Sequence, residues 1–159
     1  MKCKVILDTR NLTSLIYKTQ EKYYVKVGVI NGGGYKDEKG NITVAGYGYV
    51  NELGSIGRNI PARSFIRAPL LLNLRDEILN NKKVFEKQLF NKKGSIKGAY
   101  NRLGILAKAI ILKAFATSFD GQWAPNAPST IARKHSSKPL IDTGRLRKSI
   151  SYQVLRNEK

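Results

Sequence analysis

Residues 96–118, IKGAYNRLGILAKAIILKAFATS, decide the fold of this chain. Apolar side chains recur here at helical spacing and predict one long helix. They cover well over half of its circumference: Leu103, Ile105, Leu106, Ala107, Ile110, Ile111, Leu112, Ala114 and Phe115. A helix that is apolar around most of its surface is buried on most sides, so we expect it at the centre of the core. Asp120 and Gly121 mark its end.

A second long helix is predicted before the central one. It begins near Pro69, which suits a first helical turn, and polar residues 91–95 stop it. Its apolar positions at helical spacing are Leu71, Leu74, Ile78, Phe85 and Leu89. The spacing predicts a single helix with these five side chains on one face.

Two strands complete the predicted architecture. Residues 23–30 alternate along the chain and are rich in β-branched and aromatic side chains, and residues 150–155 indicate a closing strand. The predicted fold class is therefore α+β, with an antiparallel sheet packed against two longer helices and with long glycine-rich and Trp-containing loops. Residues 1–159 form a single small domain of this kind.

The connecting segments carry weaker signals. Residues 8–19 predict a short helix, and the glycine-rich residues 31–40 predict an exposed, mobile loop. Residues 121–139 are expected to form a long loop. Asp142 or Thr143 is expected to cap a short helix that follows it.

Charge is the unusual property of the composition. Lys and Arg number 29 against 11 Asp and Glu, which gives a net charge of +18. Such a charge favours contact with polyanions, either nucleic acid or acidic protein surfaces. A solvated basic surface without any such partner is the plainer interpretation. The basic residues are spread along the chain, which argues against a disordered nucleic-acid-binding arm.

The sequence also indicates the cellular compartment in which the protein folds. Cys3 is the single cysteine, so an intrachain disulfide cannot form. The longest apolar run, residues 109–112, is far too short to span a bilayer, and the first ten residues lack the apolar core of a signal peptide. We expect folding in the cytoplasm and no membrane partner.

Candidates for catalysis are few. His135 is the single histidine, and an exposed loop position is the simpler interpretation of it. The eleven carboxylates are scattered without a metal-binding or acid–base spacing. Asp142-Thr143-Gly144 is followed by Arg145, whose charge would keep the carboxylate ionised, unlike a proton-sharing aspartic dyad. The sequence therefore predicts no enzyme, no catalytic residue, no metal and no cofactor.

Two blocks of residues have a pattern that no folding argument requires. The first contains residues 44–45 (VA), 51–54 (NELG) and 60–67 (IPARSFIR). The second contains residues 123–130 (WAPNAPST) and 139–150 (PLIDTGRLRKSI). Together they resemble the phage tail-completion, or virion morphogenesis, family, which carries V-A, N-E-x-G and I-P-x-R-x-F-x-R segments and a W-x-P to P-L-I-D-T-G-x-L-x-x-S-I signature.

The resemblance implies a fold feature and a function. It implies a short helix over residues 43–53 that ends at Leu53-Gly54, although Gly46 and Gly48 interrupt it. It implies a structural virion protein of the head–tail junction (tail completion, tail terminator or neck), assembled in the bacterial cytoplasm as a ring, with six subunits expected. The partners implied are the tail tube, the head-side connector and, non-specifically, packaged DNA. In some relatives the T-G-R-L segment precedes the P-x-R-x-F segment, whereas here it follows.

Six large or planar side chains are the candidate interface residues, because such groups anchor protein interfaces well. They are Arg63, Phe65, Arg67, Trp123, Arg145 and Arg147. Trp123 has two further interpretations, a nucleic-acid stacking platform or a hydrophobic plug that fixes the long loop to the core. Phe65 could equally belong to an edge strand between solvated arginines. The alternative function is a basic nucleic-acid-binding protein, although no known reader motif is present.

Overall fold

The computed structural model describes residues 22–30, 42–91 and 93–157. The helix predicted over residues 8–19 and the loop predicted over residues 31–40 lie outside the described residues. The described elements are β1 (Tyr23–Val29), α1 (Val44–Leu53), a 3₁₀ turn (Ile56–Arg58), α2 (Arg67–Asn80), α3 (Lys82–Phe90), α4 (Ile96–Thr117), α5 (Pro128–Lys134), α6 (Arg145–Ser149) and β2 (Ile150–Arg156). Within these ranges, no helix has the length and apolar character needed to cross a membrane.

The sheet joins segments from near both ends of the described chain. Strand β1 pairs antiparallel with β2, with Val29 opposite Ile150 and Tyr23 opposite Arg156. Both predicted strands are confirmed. One face of this two-stranded sheet packs against α4, which also contacts α2 and α3. The fold is a small α+β domain, as the sequence predicts.

Helix α4 forms the axis of the core. Ile111 and Phe115 on this helix are fully buried, and the Phe115 ring lies 5.2 Å from that of Phe65 and 5.8 Å from that of Trp123, between centroids. Ser95 caps the helix, because its Oγ accepts a hydrogen bond from the Gly98 N–H at 3.0 Å. The prediction of a central apolar helix over residues 96–118 is confirmed.

A close approach between α4 and β2 depends on Gly104. A Cβ at this position would lie 2.7 Å from Cε2 of the Tyr152 ring and closer still to Cδ2. The Tyr152 hydroxyl donates to Asn101 Oδ1 at 3.0 Å, which holds the ring over the glycine. The absence of a side chain at Gly104 therefore lets the strand pack directly on the helix backbone.

Replacing Gly104 with alanine should lower the free energy of unfolding by about 1–3 kcal/mol, because the added methyl group forces the strand away from the helix. Gly98→Ala is the matched control. Its Cβ would meet Oε1 of Gln88, the mobile end of a long side chain, and alanine favours the helix by up to ~1 kcal/mol over glycine. Urea unfolding of both variants measures the difference. A Gly104→Ala protein as stable as wild type would contradict this packing.

The single helix predicted over residues 69–89 is wrong, since two helices occupy this stretch. The chain breaks at Asn81, where φ is −101° and ψ is 15°. The Asn81 N–H and side-chain amide both donate to the Glu77 carbonyl oxygen, at 3.1 and 2.8 Å, and close the last turn of α2. Leu71, predicted to face the core, is instead 82% exposed.

The segment between α4 and β2 also differs from expectation. The loop predicted over residues 121–139 contains helix α5, which begins at Pro128, and a proline at the first position of a helix is a recognised start signal. The predicted cap of α6 by Asp142 or Thr143 is wrong. Gly144 occupies the N-cap position in the left-handed region at φ 74°, and no side-chain cap bond forms. The Asp142 carboxylate lies near the Arg133 guanidinium instead, at 3.9 Å.

Candidate functional site

The end of α1 is shaped by a glycine. Gly54 has φ 77°, and its N–H donates to the Val50 carbonyl at 2.8 Å. A Cβ on Gly54 would lie 2.7 Å from the backbone nitrogen of Ala62, so the returning chain needs glycine here. The turn brings residues 60–67 back over the last turn of α1. The helix that the resemblance implies over residues 43–53, with Gly54 as its cap, is confirmed.

The carboxylate of Glu52, on that last turn, is the most heavily bonded group of the site. Its Oε1 accepts from the Ser64 hydroxyl at 2.6 Å and from the Arg67 N–H at 3.0 Å. Its Oε2 accepts from the N–H groups of Phe65 at 2.7 Å and Ile66 at 3.0 Å. One buried side chain therefore holds four consecutive residues.

These bonds determine the ionisation of Glu52. Burial by itself raises the pKa of a carboxyl group, since the charged form loses its hydration. The hydrogen bonds from the Ser64 hydroxyl and from the backbone of Arg67, Ile66 and Phe65 outweigh burial and leave the pKa of Glu52 below its ordinary value. The group is therefore a carboxylate at neutral pH.

Glu52, a residue of α1, also caps the N-terminus of helix α2. The first N–H groups of a helix have no partner within it, and Ile66, the N-cap residue, supplies no side-chain bond. Glu52 accepts from the N–H groups of Ile66 and Arg67, the N-cap residue and the first residue of the helix, and its negative charge lies at the positive end of the helix dipole. Ser64 Oγ also accepts from the Ala68 N–H at 3.0 Å. The N-terminal cap of α2 thus comes from α1, at a sequence distance of 12–15 residues.

Arg63 joins this unit to the segment that contains Trp123. Its backbone N–H donates to the Asn51 carbonyl at 2.7 Å. Its Nε donates to the Ala124 carbonyl at 2.7 Å and its Nη2 to the Pro125 carbonyl at 2.8 Å. Burial lowers the pKa of Arg63 from its ordinary value, although the group remains a cation at neutral pH. A planar guanidinium is well suited to bind two carbonyl oxygens in this way.

Trp123 fixes the same segment from the apolar side. Its indole Nε1 donates to the Ser64 carbonyl at 3.0 Å, and its ring meets Phe115 edge-on. The interpretation of Trp123 as a plug that holds the long loop on the core is confirmed. The segment around Arg63, from the first block, therefore meets Trp123, Ala124 and Pro125, from the second block, although the two are far apart in sequence.

For three of the six predicted interface residues, the prediction that they lie on the surface and anchor a contact with a neighbour is wrong. Phe65, Trp123 and Arg63 are all buried within the subunit, with Phe65 at 0% exposure. Phe65 turns inward because the chain bends into helix α2 two residues later, so the strand-like alternation that would expose it does not form.

The other three predicted interface residues lie on the surface. Arg67 is exposed at the start of α2, although its Nε lies 3.4 Å from Glu52. Arg145 and Arg147 are exposed on α6. Their role at an interface stays a prediction.

A cleft with a volume of about 670 Å³ lies beside the Arg63 contact. We call it the basic cleft, defined by the cations Arg58, Arg133 and Lys134 and the apolar Val50, Ile60 and Leu140. Burial, together with the nearby charges of Arg63 and Arg133, lowers the pKa of Lys134, and Asp142 opposes that change. The Lys134 ammonium donates to the carbonyls of Lys138 and of Ile141, the latter at 2.7 Å. Arg58 and Arg133 are exposed and can receive an anionic group.

A second surface was not predicted from the sequence. Leu71, Leu72 and Leu79 on α2 are 82%, 63% and 57% exposed, and we call them the leucine face. A signal was present in the run Leu70-Leu71-Leu72, since three consecutive apolar residues of a helix cannot all face one core.

The side chains around Glu52 and Arg63 form hydrogen bonds, an ion pair and apolar contacts. Within residues 22–30, 42–91 and 93–157, no group of three or more His, Cys, Asp or Glu could hold a metal ion. His135 is exposed at the end of α5, as expected. The buried carboxylate of Glu52 already accepts hydrogen bonds from five donors.

Comparison of the chain with family models, with curated proteins and with solved structures finds no match.

Proposed function

We propose that this protein is a structural component of the phage head–tail junction (tail completion, tail terminator or neck) that assembles as a ring around the DNA channel. The observation that supports this most is the contact of Arg63 with Ala124 and Pro125. It joins the P-x-R-x-F segment to the W-x-P segment, the two parts of the sequence that carry the family resemblance. Residues that pack against each other hold a fold together, so proteins with a common fold are expected to share them. The two segments joined here are of that kind.

The surface of the domain agrees with a role in assembly. Exposed leucines on α2 and a cleft lined by arginines offer two places for protein partners. Exposed apolar clusters on soluble domains commonly mark interaction sites. The net charge of +18 suits a position near packaged DNA or near acidic neighbours in the tail.

Quantitative mass spectrometry of purified phage particles tests the proposal. The protein should be present in every particle, at a copy number that matches one ring and that survives a wash in high salt. A protein found in infected cells and missing from purified particles would overturn it.

A nucleic-acid-binding protein is the second candidate function, and the net charge of +18 is the observation that favours it. Binding to duplex DNA across a range of salt concentrations separates the two. For a dedicated DNA binder, the logarithm of the binding constant falls steeply and linearly with the logarithm of the salt concentration. Each bound protein then also covers a defined number of base pairs. A junction protein should bind DNA weakly, with no defined site size.

A further inference from the structure

The basic cleft holds an excess of positive charge. Its cations are Arg58, Arg63, Arg133 and Lys134. Asp142 is the one carboxylate among its described lining residues. Burial lowers the pKa of Lys134, and so do the charges of Arg63 and Arg133. The cations are therefore crowded, and an anionic group that entered the cleft would reduce their mutual repulsion.

A second basic pocket adjoins the cleft. Its volume is about 340 Å³, and we call it the side pocket, defined by the cations Lys108, Arg147 and Lys148 and the apolar Leu112 and Ile150. No carboxylate occurs among the described residues that line it. Ile141 lines both the basic cleft and the side pocket, so the two adjoin at this residue. We call the cleft and the side pocket together the basic groove.

Much of the wall of the basic groove is aliphatic, which favours a peptide over a nucleic acid. Val50, Ile60 and Leu140 line the cleft, and Leu112 lines the side pocket. Tyr47 is the single aromatic side chain among the described residues that line either part. A single strand of nucleic acid is bound through aromatic stacking as well as phosphate contacts, and a duplex is held through its phosphates without an apolar wall. An extended peptide can present carboxylates and aliphatic side chains alternately, and it suits this groove in both charge and polarity.

We infer that the basic groove binds an extended acidic segment of a neighbouring protein. Carboxylates of the segment reach Arg58 and Arg133 in the cleft and Arg147 in the side pocket. Its aliphatic side chains lie between these contacts, against Leu140 and Ile141. This inference rests on the proposed function for the source of the segment, because a junction protein has to bind its neighbours in the tail.

A second copy of this chain does not supply such a segment. The chain has 11 carboxylates against 29 cations, and only two pairs of carboxylates are adjacent in sequence, Asp37-Glu38 and Asp76-Glu77. Each pair directly follows a cation, Lys36 or Arg75. Glu77 is also half-buried, in a pocket against α4. The acidic segment therefore belongs to a different protein.

Fluorescence anisotropy with the purified full-length protein tests this inference. The probe is a fluorescein-labelled peptide that repeats the unit Glu-Leu-Glu-Pro, in which proline disfavours a helix. Three comparison probes separate the contributions to binding. One has serine in place of leucine, one has glutamine in place of glutamate, and one is single-stranded oligothymidylate of equal net charge. The wild type should bind the Glu-Leu-Glu-Pro peptide more tightly than any of the three.

Three double variants, which all lose the same charge, locate the binding site. They are Arg58→Glu with Arg133→Glu in the cleft, Arg147→Glu with Lys148→Glu in the side pocket, and Lys83→Glu with Lys97→Glu outside the groove as the control. All six side chains are exposed, so each protein should melt close to the wild-type temperature. Attraction that depends only on net charge falls equally in all three.

The cleft and side-pocket variants should each bind the Glu-Leu-Glu-Pro peptide at least about tenfold more weakly than wild type, because hydrogen bonds to charged groups are lost. The control should bind within about threefold of wild type, since salt screens exposed charges that lie away from the peptide. Asp142→Asn removes the carboxylate that lies beside Arg133 and should tighten binding about twofold to fivefold.

Several results would overturn the inference. One is a wild type that does not bind the acidic peptide, and another is a control variant that loses as much affinity as the cleft variant. A serine or glutamine peptide that binds as tightly as the Glu-Leu-Glu-Pro peptide would show that the aliphatic walls or the cations are not used. Tighter binding of oligothymidylate would identify the groove as a nucleic-acid site instead.

The outcome is separate from that of the phage experiment. If the peptide binds as expected and the protein is missing from particles, the binding site stands and the proposed function fails. If the protein is present in particles and the cleft variant binds the peptide as well as wild type, the proposed function stands and the binding site fails.

Discussion

Replacing Glu52 with alanine should lower the free energy of unfolding by about 3–5 kcal/mol, because three backbone N–H groups and the Ser64 hydroxyl lose their acceptor at once. Each unsatisfied buried donor costs about 1–3 kcal/mol, and water reaches part of this site and offsets some of the loss. The helix dipole of α2 also loses its nearby negative charge. Urea unfolding followed by circular dichroism at pH 7 measures the change.

Asp142→Ala is the matched control for the Glu52 variant. Asp142 is an exposed carboxylate that lies 3.9 Å from an exposed arginine, a pairing that contributes little. Its replacement should change stability by less than about 0.5 kcal/mol. Equal stability losses in the two variants would show that Glu52 is not the cap of α2.

The same carboxylate should make stability depend on pH. The pKa of Glu52 is lower in the folded protein than its ordinary value, which applies to the unfolded chain. Its contribution is therefore complete above the unfolded pKa and is lost as pH falls through the folded pKa. The stability difference between wild type and Glu52→Gln should be constant near neutral pH and shrink in acid. A difference that grows in acid would contradict the direction of this shift.

Replacing Arg63 with alanine should cost about 2–4 kcal/mol and release the segment around Trp123. The Ala124 and Pro125 carbonyls lose a charged donor, and a cavity remains where the side chain was buried. The chain has one tryptophan, so its fluorescence reports on this segment alone. Emission should shift to longer wavelength in the folded variant as the indole gains access to water.

Two comparisons make the Arg63 experiment specific. Arg63→Lys keeps the charge but cannot donate to two carbonyls in the same plane, so it should lose part of the stability. Arg145→Ala removes an exposed arginine and should change neither stability beyond about 0.5 kcal/mol nor emission. Unchanged tryptophan emission in Arg63→Ala would show that Trp123 holds the segment without help from Arg63.

The parts of the fold that the sequence predicts well are those set by local periodicity. In helix α4 and in both strands, the apolar residues recur at a spacing regular enough for each element to be predicted from its own sequence. The break at Asn81 is harder to foresee, because apolar residues continue at helical spacing across it. The break is a change of backbone angles at Asn81, and asparagine alone does not signal it, because Asn73 lies within α2 without interrupting the helix.

The site was predicted less well, because its contacts join residues distant in sequence. Glu52 lies in a recognisable N-E-x-G segment, yet its role as the cap of α2 appears only when the turn at Gly54 folds back. Large aromatic residues such as Phe65 and Trp123 occur both in protein cores and at interfaces, so the residue type alone cannot tell which of the two places they occupy. The Arg63 bonds to Ala124 and Pro125 use carbonyl groups, which every residue carries.

Electron microscopy of particles made by a phage that lacks this gene tests the central proposal most directly. Cells infected by that phage should contain DNA-filled heads and separate tails, and supplying the wild-type protein from a plasmid should restore joined particles. Lys97→Ala, at an exposed position of α4 outside the predicted interface residues, supplied in the same way is a control for a correctly folded subunit with one altered surface residue. Joined, infectious particles in the complete absence of the protein would contradict the account.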